Sequence, residues 1–316
     1  MIKMRIFSMM LIAVLVIGIM LIIHNEVLEI NMDFEQKTMV MNCKYASYTL
    51  NKLFRDSRNF LELTSKYPII MNLSLEHLEP FLLSLVQKFD IFNSVYVIDK
   101  NGKTLIDATH VPELFDGVPS QVWFTNVIKG HYSDYTTDVY KSSLTRRYAI
   151  TQAVLIRGPV YDLRAVLAAE IDMTYLWEQV TKLLPDKEKY QIYLLNDKNE
   201  IIYGENKTVP DSDKKDFFKY TGLTEKILKN RIGSFQSVSN NSGRLGAYCS
   251  LRSIDEIKGM NWKIVLIKEF GSKKLTENIS SAGFLNMIIY MIFFVLILII
   301  LNYIFLFFGV GQNENN

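Results

Sequence analysis

The residues that usually carry chemistry are scarce in this chain. Of 316 residues only two are cysteine and four are histidine. The histidines, His24, His77, His110 and His131, never fall at metal-ligand spacing, so no metal site is expected. Cys43 and Cys249 form an even pair, which in an oxidising compartment admits one disulfide; two buried thiols are the plainer reading. There is no nucleophile elbow, no Walker loop, no zinc-binding histidine pattern and no paired-carboxylate motif, so neither an enzyme nor a cofactor is expected. Charge of one sign is lacking too. A net charge of +2, without a basic stripe interleaved by aromatics, argues against nucleic acid as a partner.

Charge is missing altogether from two long stretches. Ile6 to Ile23 holds none over 18 positions, enough to cross a bilayer with little tilt. Ala282 to Val310 holds none either, and its most apolar part, Phe284 to Phe308, is ample for a second span. No small-residue cleavage site follows the first stretch, so it reads as an uncleaved anchor and not a signal peptide. Lys3 and Arg5 precede it, and no basic residue follows closely before Lys37. The positive-inside rule then puts the N-terminus in the cytoplasm and residues 24–281 outside a cell membrane crossed twice.

What is there begins with about forty residues of helical character, roughly 60 Å at helical rise. Cys43, Ala46, Leu50, Leu53, Ser57, Phe60 and Thr64 alternate three and four apart and form one seam. Val27, Ile30, Phe34 and Met41 lie along another line. The first seam predicts packing against the chain's own domain, and the opposite face adds a dimer contact. Tyr67-Pro68 ends the helix, because the residue before proline is pushed out of the α region.

The remainder alternates strands and helices. Val95–Ile98 and Lys103–Asp107 flank Asp99-Lys100-Asn101-Gly102 and read as a hairpin. A short helix around Ser120–Phe124 stops at Lys129-Gly130, and strands follow at Arg147–Ile156 and Leu163–Ile171. The pattern then recurs: Ile192–Leu195 and Ile201–Tyr203 flank Asn196-Asp197-Lys198-Asn199. A helix candidate at Leu223–Lys229 and strands at Gly233–Val238, Arg244–Arg252 and Trp262–Ile267 complete a smaller copy. Two copies of that length make a duplication, not a solenoid.

This plan resembles the extracytoplasmic double Cache (dCache) sensor domain of bacterial transmembrane receptors. The resemblance spans residues 6–308 and rests on the architecture and on Val95–Asp107, Val166–Asp172 and Trp262-Lys263-Ile264-Val265. It implies an α+β fold: two tandem PAS-like modules braced by a long N-terminal helix and flanked by two transmembrane helices. The divisions expected are an N-terminus at 1–5, a span at 6–23, a stalk helix at 24–66, a membrane-distal module at 67–176, a membrane-proximal module at 177–281, a second span at 282–308 and a tail at 309–316. The family's distal module usually binds a small molecule, and the protein commonly forms a homodimer.

One subset of the family recognises free amino acids. It sets an arginine two places before a tryptophan, an aromatic directly after it, polar residues on the next strand and an aspartate at the end of the module. Trp123, Phe124 and Asp172 match three of these positions, and Tyr135 or Asp138 stands for the polar strand residues. Tyr132, Asp134, Thr136, Asp138 and Tyr140 share a face wherever that segment is extended. Gln121 occupies the arginine position, which removes the bidentate partner of a ligand carboxylate. A pocket with acid but without that arginine favours an amine or polyol-like ligand over an amino acid. Bland readings stand beside these: Trp123 and Phe124 as module core, and Asp172 as the cap of the helix Met173–Val180.

The expectation is a membrane-anchored sensor of a small polar ligand. Because the sequence stops at Asn316, the reading expects a stand-alone or truncated receptor without its own output domain, acting through a membrane signalling partner. The alternative is a cell-envelope interaction or structural protein that sends no signal, and a membrane-anchored hydrolase ranks third.

Overall fold

A computed structural model describes residues 2–108, 122–130, 133–142, 145–204, 230–239, 242–251 and 261–271, with residues 294 and 297. The expected second span at 282–308, apart from those two positions, lies outside the described residues, as do the tail at 309–316 and the helix candidate Leu223–Lys229. The chain divides into a larger unit, 38–235 with 246–268, and a smaller one, 1–37 with 236–245 and 269–316.

Helix α1 (Ile2–Thr64) is continuous, so the expected anchor and stalk are one element. Among the described residues it is the one helix long and apolar enough to cross a membrane. Its buried side in the larger unit carries Met39, Cys43, Ala46, Leu50, Phe54 and Leu61. Each fully buried Leu or Phe of this kind stabilises the fold by about 1.5–3 kcal/mol. The predicted seam drifts by one residue along the helix: Leu53 and Phe60 are half-buried, whereas Phe54 and Leu61 are covered. Tyr67 stands in extended conformation (φ −66°, ψ 138°) ahead of Pro68, where α2 (Pro68–Met71) begins. Helix α3 (Leu75–Lys88) follows.

The first sheet contains β1 (Phe92–Asp99), β2 (Thr104–Asp107), β3 (Asp134–Thr136), β4 (Tyr140–Lys141), β5 (Tyr148–Arg157) and β6 (Leu163–Asp172). Its order is β2-β1-β6-β5-β3, with β4 also on β5, and each of these pairs is antiparallel. Side-chain alternation splits it into two faces. One face meets α1: Gln152 on β5 accepts from Ser57 (2.7 Å) and donates to the Phe54 carbonyl (3.1 Å). The other is covered by α4 (Val122–Ile128), whose Trp123, Phe124 and Val127 pack on Tyr96, Ile98, Ala153, Val166 and Ala168. Gly130, at φ +75°, closes α4, a conformation that favours glycine.

A second, five-stranded sheet has the order β8-β7-β11-β10-β9. Its strands are β7 (Gln191–Leu195), β8 (Ile201–Gly204), β9 (Ile232–Ser239), β10 (Ser242–Ser250) and β11 (Lys263–Gly271). It is joined to the first sheet through α5 (Met173–Lys182), which starts on an Asp172 cap accepting from Thr174 N at 2.7 Å.

The two hairpin turns are copies at atomic detail, though offset from the sequence match. Asp99 accepts from the backbone of Asn101 and Lys103, both at 2.8 Å. Asn196 accepts from Lys198 (3.0 Å) and Glu200 (2.9 Å). Gly102 and Asn199 take the left-handed position in each turn (φ +90° and +61°). The structural partner of Asp99 is therefore Asn196, one place before the Asp197 that the repeated Asp-Lys-Asn triplet aligns with it.

In the smaller unit, Lys37 pairs with Asp33 at 2.6 Å along the helix, and Arg244 pairs with Glu269 at 2.9 Å. These are surface pairs worth at most about 1 kcal/mol.

Candidate ligand site

The α4-covered face of the first sheet is apolar at one end and polar at the other. At the apolar end Trp123 meets Tyr96 edge-on (centroids 6.4 Å) and Phe124 likewise (5.8 Å). At the polar end six side chains converge from five strands. Tyr140 Oη lies 2.7 Å from Thr151 Oγ1 and donates to Glu170 Oε2 at 3.1 Å. Asn93 donates to Glu170 Oε1 at 3.2 Å. Ser94 donates to Asp107 at 2.9 Å, and register places Asp107 directly opposite Tyr96.

Pleat and register bring these groups together. Glu170 pairs with Thr151 across β5–β6, and Tyr140 pairs with Ala149 two residues from Thr151 on the same face. Burial has an electrostatic consequence. It pushes the carboxyl of Glu170 above its ordinary value, and nearby Asp172 adds to the rise; hydrogen bonds from Ser142, Tyr140 and Asn93 oppose it. Burial also lifts the phenols of Tyr96 and Tyr140, the latter further through Tyr96 and Glu170. The site is therefore a buried, acid-bearing hydroxyl cluster.

The predicted site residues scatter around this cluster. Trp123 and Phe124 are 4% exposed and sit in the apolar core of the face, as their bland reading has it. Tyr135 packs half-buried against that core, and Tyr140 is in the cluster itself. Asp172 keeps its capping bond and meets Arg147 at 3.3 Å. Asp138 turns elsewhere, accepting from the Trp262 indole N–H at 2.6 Å. Gln121 lies outside the described residues. Sequence reasoning missed Ser94, Tyr96, Asp107, Thr151 and Glu170. Their signal was alternation: Glu170 stands two places before Asp172, hence on its face, in a strand otherwise apolar from Ala165 to Ile171.

Cys43 and Cys249 are fully buried free thiols, the plainer of the two readings of the pair, and the possible disulfide is not formed. The Cys43 thiol donates to the Ile264 carbonyl at 3.3 Å instead, and burial, with Cys249 nearby, holds it well above the ordinary thiol range. Among the described residues no cluster of histidine, cysteine and carboxylates fits a metal ion.

No family model and no curated protein matches the sequence. Solved structures do match the fold. The ligand-binding domain of the Campylobacter jejuni chemoreceptor Tlp3, in complex with L-norvaline, superposes with a TM-score of 0.58 at 18% identity, covering 79% of this chain and 94% of that one. The ligand-binding domain of the Pseudomonas fluorescens chemoreceptor CtaA, in complex with L-serine, gives 0.58 at 13% identity, covering 75% and 98%. The extracellular domain of the putative histidine kinase vpHK1S-Z8 gives 0.58 at 14% identity, covering 78% and 98%. The long helix, the antiparallel sheets and these neighbours agree: the chain has the fold of the sensory domains of chemoreceptors and sensor kinases, as its double Cache strand signatures imply.

Proposed function

We propose that this chain is a membrane-anchored sensor whose first sheet, under α4, binds a small ligand bearing an ammonium group. The observation that carries the reading is Glu170, a buried carboxyl ringed by Tyr140, Thr151 and Asn93. A buried acid with a raised pKa is costly when ionised and alone, and a ligand cation removes that cost. Trp123 and Phe124 offer an apolar wall to the rest of the ligand. The neighbours' ligands, norvaline and serine among them, carry an ammonium as well as a carboxylate. Here Arg147, the cation beside the cluster, already pairs with Asp172. That leaves the ammonium half better served, and an amine is favoured over an amino acid.

Signalling requires an anchor and a partner. The N-terminal part of α1 serves as the anchor, with residues 24–281 outside a cell membrane and a second span at 282–308. Tandem modules at 67–176 and 177–281 divide the external part, and output passes to a membrane signalling partner. A homodimer forms through the exposed side of α1, where Met41 is 69% exposed and Tyr45 and Tyr48 nearly half exposed, at helical spacing of four and three. Thermal denaturation of the full chain in detergent, against panels of amines, polyols and amino acids, tests the ligand reading. A ligand selective for the folded state at a hundred times its Kd stabilises by about 2.7 kcal/mol. Amines should raise the Tm of the natural chain and not of E170Q; a rise confined to amino acids and kept in E170Q contradicts the reading.

A further inference from the structure

Asp138 has no role in the ligand reading, yet it makes a short polar contact to the start of the second sheet. Its carboxylate accepts from Trp262 Nε1 at 2.6 Å. Trp262 is itself fully buried at the start of β11 and meets Phe54 of α1 edge-on at 5.6 Å. Its carbonyl accepts from Leu251 N at 2.9 Å, which fixes it to the end of β10. The tryptophan thus packs with the second sheet and the brace helix, whereas its indole N–H is held from the link between β3 and β4 of the first sheet.

The segment that carries Asp138 is also the rim of the ligand cluster. Thr137 N donates to the Thr151 carbonyl at 3.0 Å, and Thr151 N donates back to Thr137 Oγ1 at 2.9 Å. Two residues beyond Asp138, the Tyr140 hydroxyl lies against Thr151 and Glu170. Asp138 is exposed, while Val139 beside it is buried. One short piece of chain therefore places a hydroxyl on the buried acid at one end and a carboxylate on a buried indole at the other. A second tie, Tyr203 Oη to Thr174 Oγ1 at 3.2 Å, joins two regular elements and carries no residue of the cluster.

We propose that Asp138 is a relay: displacement of Tyr140 at the ligand cluster is passed through residues 137–140 to Trp262, and so to α1 and the second sheet. The proposal rests on the reading of the α4 face as the ligand face, but its test needs no ligand. The full chain in detergent micelles, labelled with 5-fluorotryptophan, gives one resonance for each of its three tryptophans. W262F assigns the Trp262 signal. Y140F removes the hydroxyl at the cluster, and E170Q perturbs the same bonds independently. Each should shift the Trp262 resonance by more than its line width and leave Trp177 in place. In a D138A background the shift should vanish. A Trp262 signal unmoved by both variants, or moved equally with and without Asp138, overturns the relay. Failure of the ligand reading would show separately, as amines that do not stabilise the natural chain while the Tyr140–Trp262 coupling persists.

Discussion

The two sheets are built alike and finished differently. Both open with a hairpin whose turn is tied by one side chain accepting two backbone amides, and in both the late strand is inserted antiparallel beside the first. On the face away from α1, however, the first sheet carries Glu170, Thr151, Tyr96 and Asp107. On the second sheet one described face carries Tyr193, Leu195, Ile201, Phe235, Tyr248, Val265 and Ile267, a purely apolar and aromatic cluster. A scaffold that tolerates full apolar packing at one copy bears buried polar groups at the other. Each of these groups has a hydrogen-bond partner, which avoids the roughly 1–3 kcal/mol cost of an unsatisfied buried group, and the proposed ligand role rests on where they sit.

The largest expected effect would break what the sheets share. Phe54 packs on Trp262 of the second sheet, and its carbonyl holds Gln152 of the first. Phe54→Ala should cost about 3–5 kcal/mol, read as a lower urea midpoint in detergent. Tryptophan emission and backbone circular dichroism should report the same midpoint. Separate midpoints would show that α1 does not hold the sheets as one cooperative body.

The next effect sharpens the difference between the faces. Glu170→Ala should weaken binding of a stabilising amine about tenfold to a hundredfold, the loss of one charge-assisted contact of about 1.5–3 kcal/mol, by calorimetry. Val265→Ala, on the second sheet's apolar face, should lower stability by deleting buried methyl groups and leave that affinity unchanged.

Proton linkage gives a third test. The folded pKa of Glu170 lies above its ordinary 4.5, so its protonated form is the one the fold favours. The stability it contributes is fully present below pH 4.5 and is lost as pH rises through the folded value. E170Q should flatten that part of the stability–pH curve. Amine affinity should run the other way, falling as pH drops and the carboxylate is neutralised.

The smallest effect concerns the turns. Asp99→Ala and Asn196→Ala each remove two amide contacts of the same geometry and should cost a similar amount, about 1–3 kcal/mol by denaturant midpoint, at about 0.5–1.5 kcal/mol for each bond. A cost confined to Asp99 would mean that the turns are alike in shape only.

Much of this fold was legible because its periodicities are strong. The alternation of Cys43, Ala46 and Leu50 marks the buried side of α1, and the apolar runs around Asp-Lys-Asn mark both hairpins. The site was less legible, for physical reasons. Trp123 and Phe124 were visible as an aromatic pair, but an aromatic on a helix reads the same in a wall and in a core. Asp172 and Asp138 looked like ligand contacts; one caps α5 and the other holds the indole of Trp262, 124 residues away in sequence. Glu170 was hidden for the opposite reason. It sits in an apolar strand, and its partners Tyr140 and Asn93 come from other strands whose register no local pattern reveals.

The central claim is that the first sheet, on its α4 face, is where ligand is received. Hydrogen exchange of the full chain in detergent, with and without the amine that most raises its Tm, tests this directly. Added protection should concentrate in residues 92–107, 122–142 and 148–172, with residues 191–204 unchanged. Protection centred on residues 191–204, or on none of these strands, would contradict the claim.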